Sequence, residues 1–184
     1  MKIPAAICAF FFVFATVHVF AEQHALHDGQ HDFDFEFGAW NVTIRALVHP
    51  LSGSRQWVQL RGTHVVRKIW NGRANLGVLE VDGPAGHDEG LQLRLYNPET
   101  RQWSLSFASS KDGKLQRPSI GSFANGRGVF YDRELFEGRA ILARSVTSGI
   151  TRSSYRDEIA FSEDGGRTWQ VNWIALYTKI DDEN

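Results

Sequence analysis

The chain is short of several things, and each shortage excludes a class of answer. It has one cysteine, Cys8, in 184 residues. That residue lies in the apolar N-terminal run, so the rest of the chain can form no disulfide and offers no thiol nucleophile or thiolate metal ligand. Charge of either sign is not in excess: the formal net charge is −1. A near-neutral chain has no electrostatic footprint for nucleic acid or for an anionic membrane surface. Beyond the first 21 residues there is no apolar run long enough to cross a membrane as a helix. Convincing amphipathic helices are missing too, as are repeats, low-complexity tracts and linkers.

What is present begins with a leader. Lys2 is followed by an almost wholly apolar stretch from Ile7 to Phe20, ending Val19-Phe20-Ala21. This has the form of a secretory signal peptide, residues 1–21, and places the mature chain in a secreted or periplasmic compartment. The 163 residues left after cleavage suit one domain with a core large enough to fold without disulfides. All six tryptophans lie in that part. Residues 22–32 are polar and read as a flexible lead-in. Cleavage after Ala21 would expose Glu22-Gln23-His24. An amine, two backbone amides and the His24 imidazole form a square-planar nitrogen site of the kind Cu(II) and Ni(II) prefer, the competing reading being a solvated tail.

Residues 33–180 read as one antiparallel barrel. Phe33, Phe35 and Phe37 alternate ahead of Gly38-Ala39-Trp40, the expected floor around which later strands wrap. From Trp40 the alternation is clean: Trp40, Val42, Ile44 and Ala46 share one face, and Asn41, Thr43 and Arg45 the other. Turn signals then recur at Asn71-Gly72, Asn97-Pro98, Asp112-Gly113, Asn125-Gly126, Glu137-Gly138 and Asp164-Gly165-Gly166. They divide the chain into roughly ten short strands, and this many hairpins close on themselves. The fold class is therefore all-β, a single up-and-down barrel. Asp82 to Gly90 reads as the longest loop and a candidate lid.

Phe33-Asp34-Phe35, Gly38-Ala39-Trp40, Tyr96-Asn97-Pro98 with Trp103, and Ser162-Glu163-Asp164-Gly165-Gly166-Arg167-Thr168-Trp169 together resemble a bacterial exported family of unknown function with a lipocalin-like (calycin) barrel. The resemblance spans nearly the whole mature chain. It implies a small, largely apolar ligand inside the barrel. Some calycins carry haem, but their Gly-x-Trp-x-Gly-x-Gly opening is missing here, so no cofactor is expected.

Other motifs are weaker. Ser162-x-Asp164-x-Gly166-x-Thr168-Trp169 also matches the Asp-box of propeller hydrolases. A single copy in a chain of this length reads as a hairpin clasp. Asn41-Val42-Thr43 matches a glycosylation acceptor on an outward-facing position. The candidate ligand-binding residues are Trp40, Trp103 and Trp173 as apolar lining, with Arg144 and Glu158 as polar anchors. On the anchor reading, Arg144 (with Ala140, Leu142 and Val146) and Glu158 (with Arg156 and Ala160) face inward. Tyr155, Ile159 and Phe161 form a rival apolar face, on which both charges would be solvated. Trp169, Val171, Trp173, Ala175 and Tyr177 are expected on one face of the last strand. His49, His64 and His87 are lone histidines without metal-ligand spacing. The alternatives to a binding barrel are a cofactor-free isomerase or cyclase using an interior acid or base, and a solid-core module that binds protein or glycan through its surface.

Overall fold

A computed structural model describes residues 28–180. The leader, and His24 with the proposed N-terminal metal site, lie outside the described residues. Ten strands follow in order: β1 Gly38–Leu47, β2 Trp57–Ile69, β3 Ala74–Gly83, β4 Gly86–Asn97, β5 Gln102–Ser109, β6 Ser119–Ala124, β7 Arg127–Phe136, β8 Arg139–Ser148, β9 Ser154–Ser162 and β10 Gln170–Lys179. Each pairs antiparallel with the next, and β10 closes onto β1 through Trp40↔Lys179 to Ala46↔Trp173. Closure leaves no edge to aggregate. Gly62 on β2 and Gly121 on β6 mark where strands fold tightly over one another. A Cβ would lie 1.8 Å from the Glu80 carbonyl oxygen at the first and 1.9 Å from that of Val129 at the second.

The phenylalanine-rich segment ahead of β1 is not an extended strand. Asp34–Glu36 is one 3-10 turn, and it tucks Phe33 and Glu36 into the closed end of the barrel. The short turn lets Phe33, Phe35 and Glu36 all enter the core, which a strand's strict alternation would forbid. Asp28–Asp32, at the end of the expected lead-in, is held to the wall: the Tyr96 hydroxyl donates to Asp28 at 2.8 Å and Trp103 Nε1 to the Gly29 carbonyl at 2.9 Å.

Two elements depart from the sequence reading, and a third shows which of its faces points inward. Asp82 to Gly90 is not a loop: β3 and β4 continue through it in register, Asp82↔His87 included, and turn at Pro84-Ala85. On β4 it is Gln92, Arg94 and Tyr96 that point inward, and the leucines point out; Leu91 is 39% exposed and Arg94 4%. On β10 a bulge between Val171 and Trp173 inserts Asn172, which reverses the alternation. Trp173, Ala175 and Tyr177 therefore face in, whereas Val171 and Trp169 fall on the outer side. One extra residue is enough to flip every side chain before it.

The two halves of the interior differ. The closed end is filled by two connected clusters. One gathers Trp40, Val42, Ile44, Leu79, Tyr155 and Tyr177; the other gathers Phe33, Tyr96, Trp103 and Phe130. Phe33 packs edge-on against Trp103 at 5.0 Å and Phe123 at 4.9 Å between ring centroids. Toward the other end the inward-facing side chains of Val58, Leu60, Leu105, Phe107, Ile159, Phe161 and Trp173 are only half-buried. Inward-facing groups that keep accessible surface must border space inside the barrel, so this end forms a cup.

Candidate functional site

The site is built where the filled half meets the cup. Glu36 enters from the 3-10 turn, and its backbone carbonyl accepts a hydrogen bond from Trp40 Nε1 at 2.7 Å. Arg94 enters from β4. Its Nη1 lies 2.8 Å from Glu36 Oε2 but off the line a hydrogen bond needs, so the Glu36 carboxyl takes none among the described residues. The guanidinium instead donates to Asn75 at 3.2 Å and Gln92 at 2.8 Å, and lies over the Phe33 ring at 4.9 Å. Burial pushes Glu36 up to about 8, and Arg94 only partly offsets that effect. Burial also pulls on Arg94, but the acids around it, Glu36 foremost, hold it above its ordinary value and hence charged.

His64 on β2 is fully buried. Its Nδ1 shares a hydrogen bond with the Tyr155 hydroxyl at 3.2 Å, and its Nε2 has no partner among the described residues. It fits only because β3 carries Gly77 opposite: a Cβ there would sit 2.4 Å from Nε2. Burial, and then Arg94, pull His64 down to about 3, so it is neutral. Tyr155 and Tyr177 stack at 4.1 Å with rings 7° apart, and burial raises both hydroxyls well above their usual range.

Asp157 on β9 completes the set. It accepts the Thr147 hydroxyl at 2.6 Å, and the Tyr177 hydroxyl lies close enough to act on its carboxyl. Burial raises that carboxyl, and these two hydroxyls together with Arg94 work against the shift. Asp157 is deep in the barrel yet keeps accessible surface, as expected of a group at the floor of the cup. Glu36, His64 and Asn75, by contrast, are sealed from it, all at 0% exposure.

The mouth of the cup holds a depression of about 260 Å³ bordered by Val48, Val58, Leu60, Pro84 and Lys111. Asp88 bridges it, paired with Lys111 at 3.0 Å. A larger groove of about 650 Å³ lies at the rim of the same end, between the β7–β8 strands and the β9–β10 loop, and is lined by outward Leu135 and Leu142 and by inward Glu134 and Ile141.

The structure separates the residues singled out from sequence. Trp40 and Trp103 are inside and fully buried in the filled half, where their indole N–H groups are occupied. Trp173 borders the cup. Arg144 and Glu158 do share a face, but it is the outer one. Arg144 pairs across strands with Tyr131, which is 48% exposed, and covers Trp169 at 4.4 Å. Glu158 pairs with Arg156 at the surface. The rival face is the inner one, so the interior anchor on these strands is Asp157 with Thr147. His49 lies in the β1–β2 turn, and His87 lies on β4, where it faces its strand partner Asp82 and bonds it at 3.0 Å. The Asp-box residues act as a clasp: Asp164 accepts from Ser162, from the Thr168 N–H and from the Thr168 hydroxyl, which hold its carboxyl well below the usual range. Sequence reasoning passed over Glu36, Arg94, Asn75 and Asp157. Arg94 carried a signal, since a charged residue on the face opposite three leucines of a two-sided strand is ambiguous rather than outward.

No protein-family model and no curated protein matches the chain. Among solved structures it is similar to CPES, the S-type phycobiliprotein lyase of Guillardia theta, at 10% identity and a TM-score of 0.58, over 86% of this chain and 96% of that one. EF1p2_mFAP2b bound to DFHBI aligns at 8% identity and a TM-score of 0.46, over 83% and 99% of the two chains. A de novo designed fluorescence-activating β-barrel aligns at 12% identity and a TM-score of 0.44, over 84% and 100%. The likeness to the lyase is one of fold: a closed, calycin-like, up-and-down barrel.

Proposed function

We propose that this protein binds a small, largely apolar molecule in the open half of the barrel. The observation that carries this reading is the cup itself: inward-facing apolar side chains that keep accessible surface, below a 260 Å³ mouth. The depression alone is smaller than the roughly 300 Å³ at which ligand pockets begin, so the ligand is a compact molecule that also uses the space beside the half-buried wall below. Leu60, Leu105, Phe107, Ile159 and Trp173 supply apolar wall. Asp157, with Thr147 and Tyr177, offers a polar floor that fixes orientation. The filled half is the rigid base on which this floor is built.

The test uses N-phenyl-1-naphthylamine, an uncharged apolar probe whose fluorescence rises on leaving water. The protein should enhance its emission saturably. Val58→Phe, which fills the mouth, should abolish the response, and Leu135→Ser on the outer wall should leave it intact. A response that is missing, or that is indifferent to Val58→Phe, would remove the reading.

An acid–base enzyme on the same barrel would have to work through an inward-facing acid that keeps accessible surface, such as Asp157, since Glu36 and His64 are sealed from the cup. We also propose that the chain is exported, on the strength of the leader at residues 1–21. Terminal sequencing of the protein recovered outside the cytoplasm should begin at Glu22. If it does, Cu(II) titration of that material against a His24→Ala variant tests the N-terminal metal site.

A further inference from the structure

The outer wall of β7 and β8 carries a second candidate site that the barrel interior does not explain. Tyr131, Arg133 and Leu135 alternate outward on β7, and Ile120 pairs across from Tyr131. Three of these are exposed apolar groups: Leu135 at 76%, Tyr131 at 48% and Ile120 at 40%. Exposed leucines standing singly are ordinary, but a contiguous apolar patch rimmed by charge marks a contact surface. Here the patch leads into the 650 Å³ groove, which Leu135, Ala140 and Leu142 line on the apolar side. Two cations, Arg117 from the β5–β6 connection and Arg133, border it. Both are exposed, and neither has an ion-pair partner among the described residues. The groove's acids are weaker opposition. Glu163 is already paired with Arg139, and Glu134, which also lines the groove, is half-buried, with burial and then Asp132 raising its carboxyl above the ordinary value. Arg117 and Arg133 are thus the exposed charges of the lining left without a partner among the described residues.

We propose that this groove binds a dissolved anionic amphiphile, an apolar chain or ring bearing one carboxylate or sulfonate. Arg117 and Arg133 take the anion, and Leu135, Leu142 and Ala140 take the apolar body. Two guanidinium groups beside an apolar trough suit this class, because the planar fork matches a carboxylate and a compact cation would be repelled. The β9–β10 loop forms the far bank. It is fixed by the Asp164 clasp, and Trp169 and Leu142 both pack at Gly166, where a Cβ would meet them at 3.4 Å and 3.6 Å. The trough is therefore bordered by a loop held in one shape.

The experiment compares decanoate with decyltrimethylammonium, the same chain with opposite heads, each below its micelle-forming concentration, by isothermal titration calorimetry. Decanoate should bind the unaltered protein and the ammonium should not. Arg117→Glu with Arg133→Glu should weaken decanoate on the order of tenfold or more, as expected for losing charge-assisted hydrogen bonds. Leu135→Ser should weaken it less, and Val58→Phe at the cup should leave it unchanged. Both arginines are exposed, so an unchanged melting curve verifies that the double variant is folded. Equal binding of the two heads, indifference to the charge reversal, loss with Val58→Phe, or no decanoate binding would each overturn the proposal. Val58→Phe assigns the naphthylamine response to the cup and the double arginine variant assigns the decanoate response to the groove, so failure there and failure here are separate results.

Discussion

The two ends of this barrel are made from the same strands and do opposite things. At the closed end every inward residue meets another: Phe33, Trp103 and Phe130 interlock, and Trp40 and Trp103 direct their indole donors to the segment that enters the barrel. At the open end the same alternation leaves Leu60, Phe107, Ile159 and Trp173 facing space. The difference comes from the segment before β1, not from the strands. A barrel of this strand number is wider than its own side chains fill, and the N-terminal segment plugs one half of it. The comparison teaches that the plug sets stability and the unplugged half is free to carry function.

The comparison can be broken by truncating one side chain from each half. Trp103→Ala should cost about 3–5 kcal/mol in urea denaturation, the range for a large aromatic removed from a packed core. Phe107→Ala should cost under ~2 kcal/mol, because its half-buried ring gives up less contact and transfer energy. Equal costs would mean that the open half is as packed as the closed one. Next in size is Arg94→Ala, at about 3 kcal/mol or more, since it strands buried polar partners. Its outer counterpart, Arg144→Ala, removes a partly exposed cation–π contact worth about 0.5–1 kcal/mol. If those two were reversed, the assignment of inner and outer faces would be wrong.

A pH series sharpens the account of the interface between halves. Glu36 is raised from 4.5 to about 8 in the fold, so the folded state holds this proton longer than the unfolded chain does. Its contribution is fully present below pH 4.5 and is lost as pH rises through about 8. His64 runs the other way. Lowered from 6.5 to about 3, it contributes above pH 6.5 and loses that contribution as pH falls toward 3. Stability measured from pH 6.5 to 8 should therefore fall in the unaltered protein and flatten in Glu36→Gln. The most local effect is expected at Gly77→Ala. Its new Cβ presses on His64 Nε2, and a loss of about 1–3 kcal/mol follows from overpacking, with no change in naphthylamine binding.

Legibility in the residues varies from element to element. The strand and turn order was readable, because Gly-containing turns punctuate alternating segments. The floor role of Phe33–Trp40 was readable as well, but not its 3-10 turn. Three alternating phenylalanines fit a strand locally, and only the barrel's width calls for more of the segment inside. The sides of β4, β8 and β9 were not readable. Each of those strands carries apolar residues on both faces, and periodicity gives the alternation without its sign. Arg144 and Glu158 could be read inward or solvated on that ambiguity, and Asp157 was overlooked beside them. On β10 the bulge at Asn172 has no local signature, so Trp169 and Trp173 read as sharing a face. The buried Glu36–Arg94 contact joins residues far apart in sequence, and no spacing rule brings them together.

The most direct test of the central claim is diffraction from a crystal of the protein pressurised with xenon, an apolar atom that settles in accessible apolar space. The account predicts xenon within the barrel among Leu60, Phe107, Ile159 and Trp173, and none among Phe33, Trp103 and Phe130. A barrel interior free of xenon, or xenon seated beside Phe33 instead, would contradict it.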